Sequence, residues 1–202
     1  MDEVRDRIQR IYAAIGETLE EELRKFSAMK SVTDRWVFIR QDFTGGLTAP
    51  QISNIAFTAI HALAHLPHHL KRWARSNGKD IAEVDDTAAN SSAISTLIDL
   101  SNRDKHGPPR DGGRSGKAPR IENLQRLMRL ATGPERGSAV QVQFTPAGPV
   151  VRGSGSAAVV VTGDVLASDG TRIGDLHALL LEALAAWESL LGRWGLLAKK
   201  AV

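Results

Sequence analysis

The sequence predicts an α+β protein that is mainly α: an antiparallel helical bundle with a small antiparallel β-meander inserted before the C-terminal helix. Three observations predict it. Apolar residues recur every three or four positions in several long stretches, which is the period of a helix with one buried face. Between about 138 and 168 the pattern switches to alternation and short β-branched runs, the period of strands. The chain then returns to a leucine- and tryptophan-rich helical stripe. With 202 residues, 42% of them hydrophobic, it is expected to form one domain over 1–202 with a substantial core.

Taken in order, residues 2–29 read as a helix. Val4, Ile8, Ile11, Ile15, Leu19, Leu23 and Phe26 make its apolar stripe, and Asp2 and Glu3 suit the positive pole of its dipole. Trp36-Val37-Phe38-Ile39 suggests an extended segment, and Thr44-Gly45-Gly46 a turn. Thr48 and Gln51 have capping-box spacing, with Pro50 tolerated in the first turn, so a second helix is expected to start there. Its stripe runs Ile52, Ile55, Ala59, Leu63, Leu66, Leu70, Trp73, and Asn77-Gly78 is the stop. Pro67 inside it removes one hydrogen bond and should kink it near Leu63.

A short acidic helix is expected over 80–89, then Asn90-Ser91-Ser92 offers caps for a helix over 92–106 that Gly107-Pro108-Pro109 ends. Residues 107–120 read as a flexible basic loop, and Ile121, Leu124, Leu127 and Leu130 as a short helix ending at Gly133-Pro134. Strands follow at Val140–Phe144, Pro149–Arg152 and Ala157–Leu166, with a turn at Asp169-Gly170. The last helix is expected over 173–197, on Ile173, Leu176, Leu180, Leu184, Trp187, Leu191 and Trp194. Its extra leucines could serve a homodimer or protein-partner contact.

Several function classes drop out. Without cysteine there is no disulfide, thiolate metal site or cysteine nucleophile. No P-loop or dinucleotide fingerprint is present, and no cofactor is expected. No signal peptide is visible and no apolar run approaches a membrane span, so a cytoplasmic protein with no membrane partner is expected. The net charge of +3 is too weak to argue for nucleic acid by itself, yet six cations against two carboxylates between Arg103 and Arg120 give a local +4.

Two clusters carry chemistry. His61 and His65 stand four apart on the second helix, with His68 and His69 beyond them. That spacing can chelate a transition metal, although a third ligand would have to come from elsewhere; hydrogen bonding between helices serves the same residues. The denser cluster is Asp99-Leu100-Ser101-Asn102-Arg103-Asp104-Lys105-His106. Asp99, Asn102, Arg103 and His106 fall on one face, and Lys105 sits at the rim of the apolar stripe. An aspartate can orient a partner, an asparagine can bind substrate, and Arg, Lys and His can hold a phosphate and move protons. Arg110, Arg114, Lys117 and Arg120 in the following loop would add RNA or phosphate contacts. Without any function, the same residues are a helix end whose basic side chains complement the dipole.

The helix containing His65-Leu66-Pro67-His68-His69-Leu70-Lys71-Arg72-Trp73, paired with the Asp99-x-x-Asn102-x-x-Lys105-His106 helix end, resembles a group of uncharacterised bacterial helical-bundle proteins. In that group a small β segment and a Trp-containing C-terminal helix follow. The arrangement is also similar to the HEPN superfamily, many of whose members are ribonucleases of toxin–antitoxin and phage-defence systems. The resemblance implies a metal-independent ribonuclease or an inactive RNA-binding relative. His106 would be the base toward a ribose 2′-hydroxyl, Arg103 and Lys105 would stabilise the phosphate, and Asn102 and Asp99 would orient them. The family's Arg is followed by a His after four to six residues; here His106 follows Arg103 after three. The alternative is a non-catalytic interaction or dimerisation module.

Overall fold

The computed structural model describes residues 4, 6, 8, 9, 11, 20–26, 28–35, 37–109, 111–133, 137–145 and 148–197. Its elements are β1 (Glu20–Glu22), β2 (Ala28–Val32), β3 (Val37–Gln41), α1 (Ala49–Ser76), α2 (Ala82–Asn90), α3 (Ser92–His106), β4 (Arg120–Ala131), β5 (Val140–Thr145), β6 (Gly148–Gly153), β7 (Ser156–Leu166), β8 (Arg172–Asp175) and α4 (Leu176–Arg193). The mixed α+β class is as expected.

The helices pack into one core. Leu63, Leu66 and Leu70 of α1, Ile94 and Leu97 of α3, and Leu180, Trp187 and Leu190 of α4 are all shut off from solvent there. Local chemistry fixes the helix ends. The Thr48 N–H donates to Gln51 Oε1 at 2.8 Å. At the other end of α1 Gly78 takes a φ of +62° and the Lys79 N–H reaches back to the Ala74 carbonyl at 3.0 Å, a Schellman closure. Pro67 is buried inside α1, which runs unbroken through it. Ser91 caps α3 by accepting the Ile94 N–H at 3.3 Å. Ser91→Ala is expected to cost about 1 kcal/mol, read as a lowered midpoint in thermal unfolding.

β7 organises the strands. Val159, Val160 and Val161 are buried in succession, as in a strand covered on both faces. β4 runs antiparallel along it, from Arg120 opposite Leu166 to Ala131 opposite Ser156. β1 pairs with Ala158–Val160, and β8 with Asp164–Leu166. β2–β3 and β5–β6 are separate hairpins. The expected strands at 140, 149 and 157 therefore exist, but they do not form one meander: β5 and β6 pair with each other, while β7 belongs to the four-stranded sheet.

Three expected helices change. In the first, Val4, Ile8 and Ile11 are helical and buried in the main core, but Glu20–Glu22 is a strand. Leu23 and Phe26 bury with Val159 in a second apolar cluster. Ile15 and Leu19 of the stripe, and Trp36, lie outside the described residues. The segment expected to be helical from Ile121 is β4. Asn123 there adopts φ +53°, and the pairing with β7 slips between Glu122 and Gln125. This bulge breaks the two-residue alternation, so Ile121 and Leu124 both reach the core and the spacing imitates a helix. The last helix begins at Leu176 rather than Ile173, because Asp175 caps it by accepting the Ala178 N–H at 3.0 Å while Ile173 lies in β8.

Most large side chains of α4 pack inside this chain: Leu176, Leu179, Leu180, Trp187, Leu190 and Leu191 are buried, Leu181 and Leu184 are half-buried, and the exposed positions are Ala178, Glu182, Ala185, Ser189, Gly192 and Arg193. Among the described residues no helix is long and apolar enough to cross a membrane.

Three carboxylates, Asp42 and Asp169 exposed and Asp164 half-buried, are held below the ordinary aspartate value. Asp42 accepts from the Thr44 N–H and hydroxyl, Asp164 from the Asn123 amide and Arg172, and Asp169 from the Thr171 N–H. Their depressed values add stability that is present above about pH 4 and is lost as the pH falls through the folded values. Carboxyl titration by NMR is expected to place all three below the unfolded aspartate.

Candidate functional site

The two polar clusters of the sequence meet at the C-terminal end of α3, but only in part. On α1, His61, His65 and His68 follow at steps of four and three and share a face. Their rings stack in a row, with centroids 6.2 Å apart for His61–His65 and 6.2 Å for His65–His68. Opposite them α3 offers Ser101, Asp104 and Lys105, which share a face at steps of three and four. His61 Nε2 lies 3.0 Å from Asp104 Oδ2, and its Nδ1 lies 2.8 Å from Ser101 Oγ. An ionised carboxylate only accepts, so Nε2 carries the ring proton and donates; in the neutral ring Nδ1 then accepts from the Ser101 hydroxyl. The Lys105 ammonium donates to His65 Nε2.

Ser101, His61 and Asp104 are the groups of a hydrolase triad, but Ser101 is only 1% exposed, in the middle of a helix. A substrate carbonyl cannot reach its oxygen, so the contact fixes the imidazole instead of arming a nucleophile. The metal alternative at His61 and His65 fares no better. Both His61 nitrogens are engaged, and among the described residues no group of three or more His, Asp or Glu is placed to hold an ion.

The residues predicted to form the catalytic face do lie together on α3, on the side away from the histidine row. Asp99 is 2% exposed, and its carboxylate accepts the Arg114 N–H at 2.7 Å and the Ser115 N–H at 2.6 Å. It orients a loop, and neither Arg103 nor His106 touches it. Asn102 and His106 are exposed and Arg103 half-buried; none of the three has a hydrogen-bond or ionic partner among the described residues. Lys105 is the one predicted catalytic residue that turns toward α1.

The loop expected to be flexible is instead closed on itself. The Ala118 N–H donates to the Gly112 carbonyl at 2.7 Å, and the Ser168 N–H to the Lys117 carbonyl at 2.9 Å. Arg114 and Lys117 project as exposed side chains. Arg120 does not join them: its Nε binds Glu122 at 2.8 Å and its Nη1 the Ala167 carbonyl at 2.7 Å. Arg110 lies outside the described residues.

The sequence placed His68 with the other histidines, but gave Ser101 and Asp104 no role as their partners. The signal was present: Ser101, Asp104 and Lys105 repeat the helical spacing of the histidines, so two polar stripes of matching length faced each other. A coupling test is direct. His61→Ala and Asp104→Asn are each expected to cost under about 1 kcal/mol, since the pair is 27% and 42% exposed, and the double variant should cost less than their sum. Urea titration of the four proteins reads it.

Comparison of the chain with protein-family models, with curated proteins and with solved structures finds no match in any of the three.

Proposed function

We propose that this chain is a HEPN-like helical protein of bacterial RNA-directed, defence or toxin–antitoxin context that binds RNA at the end of α3. What supports it is one concentration of unspent donors. Arg103 and His106 share a face of α3 beside a closed loop carrying Arg114 and Lys117, and none of these four side chains has a hydrogen-bond or ionic partner among the described residues. Cations without internal partners are what a phosphate backbone needs.

The geometry favours binding over turnover. Asp99, assigned to orient the catalytic pair, is spent on the loop, and the histidine row faces the other side. Ribonuclease action would rest on His106 taking the proton from a ribose 2′-hydroxyl as that oxygen bonds to phosphorus, with Arg103 neutralising the phosphate; the P–O5′ bond breaks to leave a 2′,3′-cyclic phosphate, and the 5′-oxygen takes a proton from water. Incubation of the purified protein with total RNA in EDTA tests both arms. Binding is expected, and it should weaken in Arg103→Ala and His106→Ala. Unchanged binding in both variants would sink the RNA reading, and cleavage that survives both would remove this site from the chemistry.

A second reading has its own observation. Phe144, Val150 and Val151 on the β5–β6 hairpin are 37%, 42% and 37% exposed, which suits a non-catalytic interaction module. A strict monomer by light scattering, with nothing co-purifying, counts against it.

A further inference from the structure

The buried Asp99 carboxylate performs a task that its position in a polar motif does not announce. It sits seven residues before the end of α3, and it satisfies two consecutive backbone amides of a loop that begins at Gly107. The fit is tight. Gly113 has a φ of +74°, and a Cβ there would stand 2.6 Å from Asp99 Oδ1, so no side chain is tolerated at that point. At Gly112, φ +76°, a Cβ would stand 2.9 Å from the Gly116 carbonyl oxygen. The backbone of this Gly-Gly-Arg-Ser-Gly-Lys stretch therefore turns inward to the carboxylate, and the Arg114 and Lys117 side chains stay in solvent. At about 100° per residue, Arg103 and His106 lie within about 40° of Asp99 around the axis of α3, while Ser101, Asp104 and Lys105 lie on the far side.

We propose that Asp99 is a positioning residue: by capturing the Arg114 and Ser115 amides it holds the loop in a preformed arc that presents Arg114 and Lys117 to the phosphates of single-stranded RNA, beside Arg103 and His106. The inference rests on the RNA-binding function proposed above. A loop already ordered does not lose its conformational freedom on binding, which is where a flexible basic linker would forfeit affinity. The two amides hydrogen-bond both carboxylate oxygens, so the carboxylate faces the loop backbone and the Arg114 and Lys117 side chains face solvent.

The experiment combines amide hydrogen exchange with salt-titrated binding of a fluorescent single-stranded RNA oligonucleotide. The proteins are the wild type, Asp99→Asn, Arg114→Ala/Lys117→Ala, and the triple variant. The Arg114 and Ser115 amides should be protected in the wild type and exposed in Asp99→Asn. The slope of log affinity against log salt should shrink by about 1.4 in Asp99→Asn, two phosphate contacts at about 0.7 each. The double variant should show the same loss, and the triple variant no more. Retained protection or a retained slope in Asp99→Asn overturns the proposal, as does a further loss in the triple variant, which is what general loosening would give. Should Asp99→Asn fail to fold, Gly113→Ala, on an exposed residue outside the core, must produce the same drop. Displacement of the RNA by polyglutamate with an equal slope overturns the choice of RNA. If the wild type binds no RNA at any salt, the functional reading falls together with the presentation of Arg114 and Lys117, and amide exchange still decides whether Asp99 is the latch.

Discussion

Trp187→Ala is expected to destabilise the protein by about 3–5 kcal/mol, the usual cost of deleting a buried indole. Trp187 has no exposed surface and stands in the core that joins all the helices to Val161 and Val165 of β7. For a chain of this size the loss corresponds to a midpoint about 6–20 °C lower in a thermal melt. Trp187→Phe separates packing from polarity. The indole Nε1 is buried with no hydrogen-bond partner among the described residues, and burying an unpaired donor costs about 1–3 kcal/mol. Phenylalanine removes that donor and keeps most of the ring, so its variant should melt much nearer the wild type than the alanine one. A Phe variant as weak as the Ala variant would mean that the indole donates to a partner after all.

How far the sequence carried can be judged element by element. α3 was legible to its ends because each boundary has a short-range cause, the Ser91 cap and the Gly107 stop at φ +81°. α1 was legible for the same reason. The failures came where distant pairing overrides local pattern. The segment predicted to continue the first helix is a strand at Glu20–Glu22, where the chain is claimed by β7. In β4 the bulge at Asn123 lets Ile121 and Leu124, three residues apart, both reach the core, while Leu130 in the same spacing is exposed, so the helix-like pattern does not mark one buried face. Closed loops are harder still. Gly107 to Pro119 has the composition of a linker, and the contacts that close its described residues come partly from other elements: the Asp99 carboxylate of α3 on the Arg114 and Ser115 amides, and the Ser168 amide on the Lys117 carbonyl.

The site was legible as residues and illegible as a constellation. Helical spacing put Asp99, Asn102, Arg103 and His106 on one face, and they share it. The same spacing could not say which neighbour each face would meet. α1 meets the opposite face, so the histidines went to Ser101, Asp104 and Lys105 while Asp99 went to the Arg114 and Ser115 amides. Polar motifs on a helix report what is available; the loop and the neighbouring helix decide what is used.

Gly163→Val is expected to cost about 1–3 kcal/mol even though valine is the better strand former. Gly163 is buried in β7 directly across from the β4 bulge. A Cβ there would lie 2.9 Å from the Glu122 carbonyl oxygen, 3.1 Å from Ile121 Cγ2 and 3.2 Å from Leu124 Cα. Two of those three atoms are backbone, so relief requires moving the strand, and the strand also carries Arg126. That guanidinium donates to the Thr44 carbonyl at 2.9 Å and lies 4.9 Å from the Phe26 ring, so a shift in β4 would loosen the second apolar cluster as well. Gly174→Ala makes the matching control. It is also a strand glycine, but its Cβ would meet only Leu179, at 3.6 Å or more, an ordinary contact. With no clash to oppose it, the reduced freedom of the unfolded chain should dominate, giving a change between zero and about 1 kcal/mol in favour of the fold. Opposite signs for the two substitutions, measured in the same urea series, would show that Gly163 is kept because the bulged partner strand leaves no room for a side chain; equal signs would show that glycine there is incidental.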